Sequence, residues 1–178
     1  GRPAIKNRKF SQPWKPRMPA IYICYRKEDA FGEAAHLYKE FSQRFGKSGV
    51  FVDVARSEPG QDPRVVVDDH VARSGVFLVL IGKTWVEGRD AAGQRRLDNP
   101  LDPVRTEVAA ALAHNIPIIP VLVQRAAMVL PADLPADMAG LASGRPIELT
   151  QAHWGSDVET LLGRGLFAAD LPSDAIVV

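Results

Sequence analysis

Seven consecutive residues, Gly75-Val-Phe-Leu-Val-Leu-Ile81, carry no polar side chain. A run this short has the length of a strand, and one that is apolar at every position must be covered on both faces. A parallel sheet flanked by crossover helices meets that demand. The chain on either side alternates accordingly. Ala20-Ile-Tyr-Ile-Cys-Tyr25 reads as a strand that ends in the polar cluster Arg26-Lys-Glu-Asp29. Phe31, Ala34, Ala35, Leu37, Tyr38, Phe41 and Phe45 then recur at helical spacing up to Gly46, a suitable C-terminal stop. Val50-Phe-Val-Asp-Val54 is a second strand, Ala55 to Pro63 is a loop with Pro59-Gly60 at its tip, and Arg64 to Arg73 is a helix.

Beyond the central run, Gly82 to Pro100 loses periodicity and turns polar. Connections this long are usually functional or disordered, which makes the segment a candidate lid. Asp102-Pro103 is a strong helix start, because Asp accepts an N–H of the first turn and Pro fits the first helical position. Val104, Val108, Ala111 and Leu112 form one apolar stripe; the helix ends near Asn115, and Ile116 to Val123 reads as a buried strand. Gln124 to Arg145 is rich in Pro and Ala, Pro146 to Leu149 is a brief strand, and a helix from roughly Gly155 to Leu166 closes the domain. The fold class is therefore three-layer α/β/α with a central parallel sheet. Ligands in such sheets sit at the carboxyl ends of the strands, where the strand order switches. Tyr25, Arg26, Asp53, Gly82 and Trp85 all follow strand ends and should gather on one edge. Glu107 lies about 85° around the helical wheel from the middle of the apolar stripe, at the flank, where a carboxylate can line the wall of a cleft.

With 178 residues, 46% of them hydrophobic, one domain with a proper core is expected, over residues 19–167. Residues 1–18 hold Arg2, Lys6, Arg8, Lys9, Lys15 and Arg17 without an acid and are interrupted by Pro3, Pro13 and Pro16. They read as a flexible basic leader or linker, with a functional basic arm as the other possibility. Residues 168–178 read as a tail, disordered or joined to a further module. A net charge of +1 gives no whole-molecule reason to expect nucleic acid. Cys24 is the only cysteine, so no intrachain disulfide forms and a reducing compartment is expected. No apolar run approaches the ~20 residues that span a bilayer. A soluble, cytoplasmic protein is the expectation.

Several familiar signals are incomplete. Ile81-Gly-Lys-Thr84 looks like the tail of a phosphate-binding loop, but position 77, where that motif needs its first glycine, is Phe77, and no GxGxxG follows the first strand. His36, His70, His114 and His153 stand far apart with no cysteine at ligand spacing, so no metal is predicted. A phosphoacceptor role for Asp53 would need an acidic pair directly after the first strand, where Tyr25 and Arg26 stand instead; Glu28 and Asp29 lie close.

Five blocks occur in one order and spacing: Ile21-Tyr-Ile-Cys-Tyr-Arg-Lys-Glu-Asp29; Val50-Phe-Val-Asp-Val54 with Glu58-Pro-Gly60; Val79-Leu-Ile-Gly-Lys-Thr-Trp85; Arg95-Arg-Leu-Asp-Asn-Pro100 with Val104-Arg-Thr-Glu107; and Ile119-Pro-Val-Leu-Val123. Together they resemble the bacterial branch of the Toll/interleukin-1 receptor (TIR) domain family, over approximately Pro19 to Leu166. The resemblance implies a flavodoxin-like fold, with Ala55 to Pro63, and within it Glu58, Pro59 and Gly60, as the loop used in self-association. It also implies one of two activities. Many bacterial and plant members cleave the nicotinamide–ribose bond of NAD+, giving nicotinamide and ADP-ribose or a cyclised form, usually to halt infected cells. Others are docking modules for further TIR domains or mimics of a host's. In the enzymes a glutamate on the helix after the long connection is essential, and Glu107 matches its position. NAD+ is then a substrate and no cofactor is needed.

One carboxylate suffices for that reaction. Glycosidases generally need one acid to protonate the departing oxygen and a second carboxylate opposite. Nicotinamide leaves as a neutral pyridine from a cationic ring, so the protein has to hold the ribose and stabilise oxocarbenium-like charge. Glu107 can accept hydrogen bonds from ribose hydroxyls and face that charge. Tyr25 and Trp85 offer aromatic faces to a base or pack at the sheet edge; Arg26 pairs with phosphate or with Glu28 or Asp29 on the surface. Two positions depart from the family pattern. Pro103 stands where active relatives commonly carry an aromatic residue four before the glutamate, and either the stacking face is missing or Trp85 supplies it. Cys24 replaces the usual serine, a small change of volume beside the ligand. A deoxyribosyltransferase of similar architecture is a third class, which nothing in the sequence favours.

Overall fold

A computed structural model describes residues 20–54 and 59–163. The strands are β1 (Ala20–Cys24), β2 (Val50–Val52), β3 (Ser74–Ile81), β4 (Ile118–Leu122) and β5 (Ile147–Glu148). The helices are α1 (Lys27–Phe45), α2 (Pro63–Ala72), α3 (Pro103–Ala113) and α4 (Trp154–Leu161). All strand pairings are parallel, in the order β2-β1-β3-β4-β5. This is the doubly wound flavodoxin-like order, whose direction of winding switches between β1 and β3.

The period-two alternation of side chains divides the core into two layers. Ile21 and Ile23 of β1 and Val76, Leu78 and Leu80 of β3 pack with Ala34, Leu37 and Phe41 of α1 and Val158 and Leu161 of α4. Tyr22 and Cys24 with Phe77, Val79 and Ile81 face the other way, onto Val66, Val67 and Val71 of α2 and Val104, Val108 and Ala111 of α3. β3 lies between β1 and β4 with both faces covered, which is why it contains no polar side chain between Gly75 and Ile81.

Caps set where the site-bearing helices begin. Asp62 accepts the Arg64 N–H at 2.9 Å with Pro63 at the first position of α2, and Asp102 accepts the Arg105 N–H at 3.1 Å with Pro103 opening α3. Gly46 closes α1 with φ +85°, a conformation that favours glycine.

Several expectations shift. α1 starts at Lys27, and Ala30 (φ −135°, ψ 33°) breaks its first turn from the rest. That break turns Asp29 inward, where it accepts the Gly82 N–H at 2.7 Å, the Thr84 N–H at 2.8 Å and the Thr84 hydroxyl at 2.9 Å. A Cβ on Gly82 would lie 2.5 Å from the Asp29 carboxylate, so the glycine of the incomplete phosphate-loop signal serves a carboxylate of the chain itself. Phe31, placed on the apolar face of α1 by spacing, is exposed. β2 stops at Val52 because Asp53 takes φ +50°, and β4 spans Ile118–Leu122 rather than reaching Ile116 and Val123.

The Gly82 to Pro100 connection is held in place along much of its length. The Asp90 carboxylate accepts the Ala92 and Gln94 N–H groups at 2.9 Å, Arg95 reaches the Asp98 carboxylate at 2.7 Å and the Asp133 carbonyl at 2.8 Å, and Leu97 is fully buried. Arg105 of α3 ties it down further, donating to the Leu97 carbonyl. These contacts hold the connection against the body of the domain at Arg95 and Leu97. The leader 1–18, the tail 168–178, Glu58 and the expected end of the last helix at Leu166 lie outside the described residues.

Candidate functional site

At the carboxyl ends of β1 and β2, where α3 begins, the surface folds into a cleft of about 190 Å³. Its lining brings together Tyr25 and Arg26 directly after β1, Lys27 and Glu28 in the first turn of α1, Asp53 after β2, Arg96 from the fixed connection, and Pro103, Val104 and Glu107 from α3. Its position beside the β1/β3 switch is where this topology leaves a crevice. A broader depression of about 770 Å³ lies between residues 87–98 and Ala132–Asp133. It is shallow, and Glu107 takes no part in it.

Glu107 is half-buried, as the flank position on α3 dictates. Tyr22 and Cys24 alternate on the α3 side of β1 and approach its carboxyl from below. Removal from water pushes the Glu107 acid up from its ordinary 4.5 to about 8; the Cys24 thiol opposes this, the Asp53 and Asp102 carboxylates add to it, and the Tyr22 hydroxyl opposes it weakly. Burial likewise pushes the Cys24 thiol and the Tyr22 phenol well above their usual ranges, so both stay protonated donors. The Tyr22 hydroxyl is buried without full hydrogen-bond geometry to any described partner. Burial and the two nearby carboxylates thus favour the protonated form of Glu107, which is set over weak donors.

The other polar residues are fixed by one another. Arg26 is almost fully buried and grips Asp102 with two bonds of 2.8 and 3.0 Å. Because Arg26 precedes α1 and Asp102 caps α3, this pair locks the starts of the two helices that frame the cleft. Tyr25 donates its hydroxyl to Asp53 at 2.8 Å, drawing the end of β2 toward that of β1.

Of the residues singled out from sequence, Glu107, Tyr25, Arg26, Asp53 and Pro103 come together in the cleft. Cys24 lies beneath it, fully buried. Trp85 does not reach it: its ring is fully buried in the α2/α3 layer of the core, so it has no face to offer a ligand and cannot replace an aromatic residue at position 103. The Arg26 guanidinium pairs with Asp102 rather than with the Glu28 or Asp29 carboxylate. Pro59 and Gly60 form an exposed turn, with Gly60 at φ +88°. Lys27, Glu28 and Arg96 were missed as cleft residues. The first two belong to the polar cluster that ends the first strand, and Arg96 to the aperiodic connection, where no local pattern fixes which side chains face the cleft.

Among the described residues no group of His, Cys, Asp and Glu could hold a metal ion. His36 stacks on Trp154 at 4.2 Å, His70 bonds the Val66 carbonyl and His114 meets Asp68 at 2.7 Å. No described helix is long and apolar enough to cross a membrane.

The chain matches the family model described as TIR domain over residues 21–162. No curated protein matches it. Among solved structures it is similar to the TIR domains in the structure of the activated Roq1 resistosome directly recognizing the pathogen effector XopQ, with a TM-score of 0.57 and 12% identity over 82% of this chain and 98% of that one. At that identity the likeness speaks to the fold alone, and it is the fold built above. The family match spans most of the chain and takes in both core layers and every residue lining the Glu107 cleft; the chain belongs to the TIR-domain family.

Proposed function

We propose that this TIR domain is an NAD+ glycohydrolase that releases nicotinamide and leaves ADP-ribose or its cyclic form, with Glu107 as the catalytic residue. The observation that carries the proposal is the half-buried Glu107 carboxyl on the wall of the switch-point cleft, its acid pushed up to about 8 by burial. A carboxyl that is neutral before binding ionises when a pyridinium arrives, because an adjacent positive charge favours the charged form. Once ionised in a site largely shielded from water, it accepts hydrogen bonds from the ribose hydroxyls and stabilises the positive charge that spreads over the ribose as the bond to nicotinamide breaks. The bonding pair leaves with nicotinamide, so no proton has to reach the leaving group; water, or the adenine ring for the cyclic product, then bonds to the ribose carbon, and the proton that water sheds passes to Glu107 or to solvent. Tyr25, held by Asp53, presents its ring at the cleft wall to the departing base.

In this reading the domain serves a bacterial antiviral system in the cytoplasm, the Pro59-Gly60 turn docks one copy on the next, and assembly completes the site. The cleft of about 190 Å³ is smaller than the 300 Å³ or more typical of sites that enclose a whole ligand, which is in keeping with a site finished by a second copy. The alternative is a non-catalytic adaptor or a mimic of a host TIR domain. It is favoured by one observation: Pro103 offers no stacking face and Trp85 is sealed in the core, which leaves Tyr25 as the one aromatic among the described lining residues.

Nicotinamide release by the concentrated domain, measured beside Glu107→Ala and Glu107→Gln, separates the two. Loss of about a hundredfold or more is expected in both variants, comparable to removing one transition-state electrostatic contact. A fully active Glu107→Gln, which keeps hydrogen bonding and loses the charge, would sink the electrostatic role; absence of release from the parent chain under assembling conditions would favour the adaptor.

A further inference from the structure

The cleft carries three cations, and they are not equivalent. Arg26 is almost fully buried and engaged by both oxygens of Asp102, so a ligand phosphate would have to displace a paired carboxylate to use it. Lys27 is exposed and makes no ion pair among the described residues, while Arg96 is half-buried and only loosely met by Glu28 at 3.6 Å. Both line the cleft that Glu107 walls, and they come from different elements, the first turn of α1 and the connection before α3. Arg96 also donates its Nε–H to the Arg89 carbonyl at 3.3 Å, which orients the guanidinium with its terminal nitrogens directed to the Glu28 side of the cleft.

Size sharpens the point. A cleft of about 190 Å³ takes a ribose and one ring, so the diphosphate of a dinucleotide has to lie along the mouth. We infer that Lys27 and Arg96 form the anion subsite of this cleft and receive the diphosphate of a nucleotide substrate, with Arg26 serving as a positioning residue that holds the starts of α1 and α3 together. Glu28 then plays the gatekeeper: it occupies Arg96 until a stronger, doubly charged acceptor replaces it. The subsite deepens the NAD+ reading and rests on it for the identity of the nucleotide, but its chemistry, two accessible cations facing a diphosphate, is testable apart from catalysis.

The experiment compares the parent chain with Lys27→Gln, Arg96→Gln, the double variant and Arg96→Lys. Binding of ADP-ribose and of inorganic pyrophosphate is followed by chemical-shift perturbation, and steady-state cleavage is followed with NAD+ and with nicotinamide riboside, which has no phosphate. Each lost cation should weaken ADP-ribose and pyrophosphate about tenfold. KM for NAD+ should rise by a similar factor with kcat little changed, the riboside should be affected less than about twofold, and Arg96→Lys should recover most of the loss. A double variant that binds ADP-ribose as tightly as the parent, a loss equal for NAD+ and riboside, or a parent chain that binds neither anion would each overturn the subsite. A parent that binds both anions at Lys27 and Arg96 yet releases no nicotinamide would keep the subsite and defeat the hydrolase reading, so the two failures are distinct.

Discussion

Replacing Glu107 with Gln should make the protein more stable, and by an amount that grows with pH. In the unfolded chain the Glu107 acid has its ordinary value of 4.5, and in the folded protein burial raises it to about 8. Between those values the folded form holds a proton that the unfolded form has lost, so stability falls as pH rises from 4.5 to 8 and is level above that. At about 1.36 kcal/mol per tenfold change the whole span amounts to about 5 kcal/mol. Glu107 is half-buried and water reaches it, so we take roughly 2 kcal/mol as the realistic loss. Glutamine has the shape of the protonated acid and never ionises. The two proteins should therefore melt together near pH 4 and separate by about 6 °C by pH 8.5, using about 3 °C per kcal/mol for a domain of this size. The assay is thermal unfolding of both proteins by circular dichroism in half-unit steps from about pH 4 to about pH 9. Every other ionisable group is common to the two proteins, so the difference curve isolates Glu107. A difference that is flat across this range, or a parent that gains on the variant as pH rises, would mean that Glu107 is solvated or paired with a cation and that the account of the cleft is wrong.

Two other outcomes follow from the same geometry. Asp102→Ala should lose about 4 kcal/mol in urea unfolding, because it leaves Arg26 buried without its partner and removes the cap of α3; the double variant Arg26→Met, Asp102→Ala should lose clearly less than the sum of its two single variants, whereas losses that simply add would show that the pair is not coupled. If assembly completes the site, nicotinamide release per molecule should rise steeply with protein concentration or crowding, and a rate per molecule unchanged over about a hundredfold dilution would remove assembly from the mechanism.

The architecture was legible because it depends on patterns that act over short distances. An apolar run flanked by helices allows few solutions, and the Asp-Pro start places α3 in register to within a residue. Glu107 could be placed at a cleft wall from its wheel angle because neighbouring helical positions have no choice of direction. The charged cluster after β1 was not legible in the same way. Arg26 and Asp29 are both buried, one by a carboxylate 76 residues later and the other by amides more than 50 residues later, and no local rule announces either. Trp85 shows the opposite limit: a residue soon after a strand end can still turn back into the core, and the side it takes depends on which helix covers it.

The same alternation that builds the core also decides what surrounds the Glu107 carboxyl. On β1 the residues facing α1 and α4 are both isoleucines, whereas those facing α3 are Tyr22 and Cys24, the two that end in a polar hydrogen. A core designed only for packing would have no reason to place a phenol without a satisfied partner under a helix, since an unmet buried hydroxyl costs about 1 kcal/mol or more. Set beneath Glu107, both groups support the carboxyl once it ionises, while burial and the nearby Asp53 and Asp102 favour its neutral form before then. The cost falls on the resting protein and the gain on the charged state, the division that the role proposed for Glu107 requires.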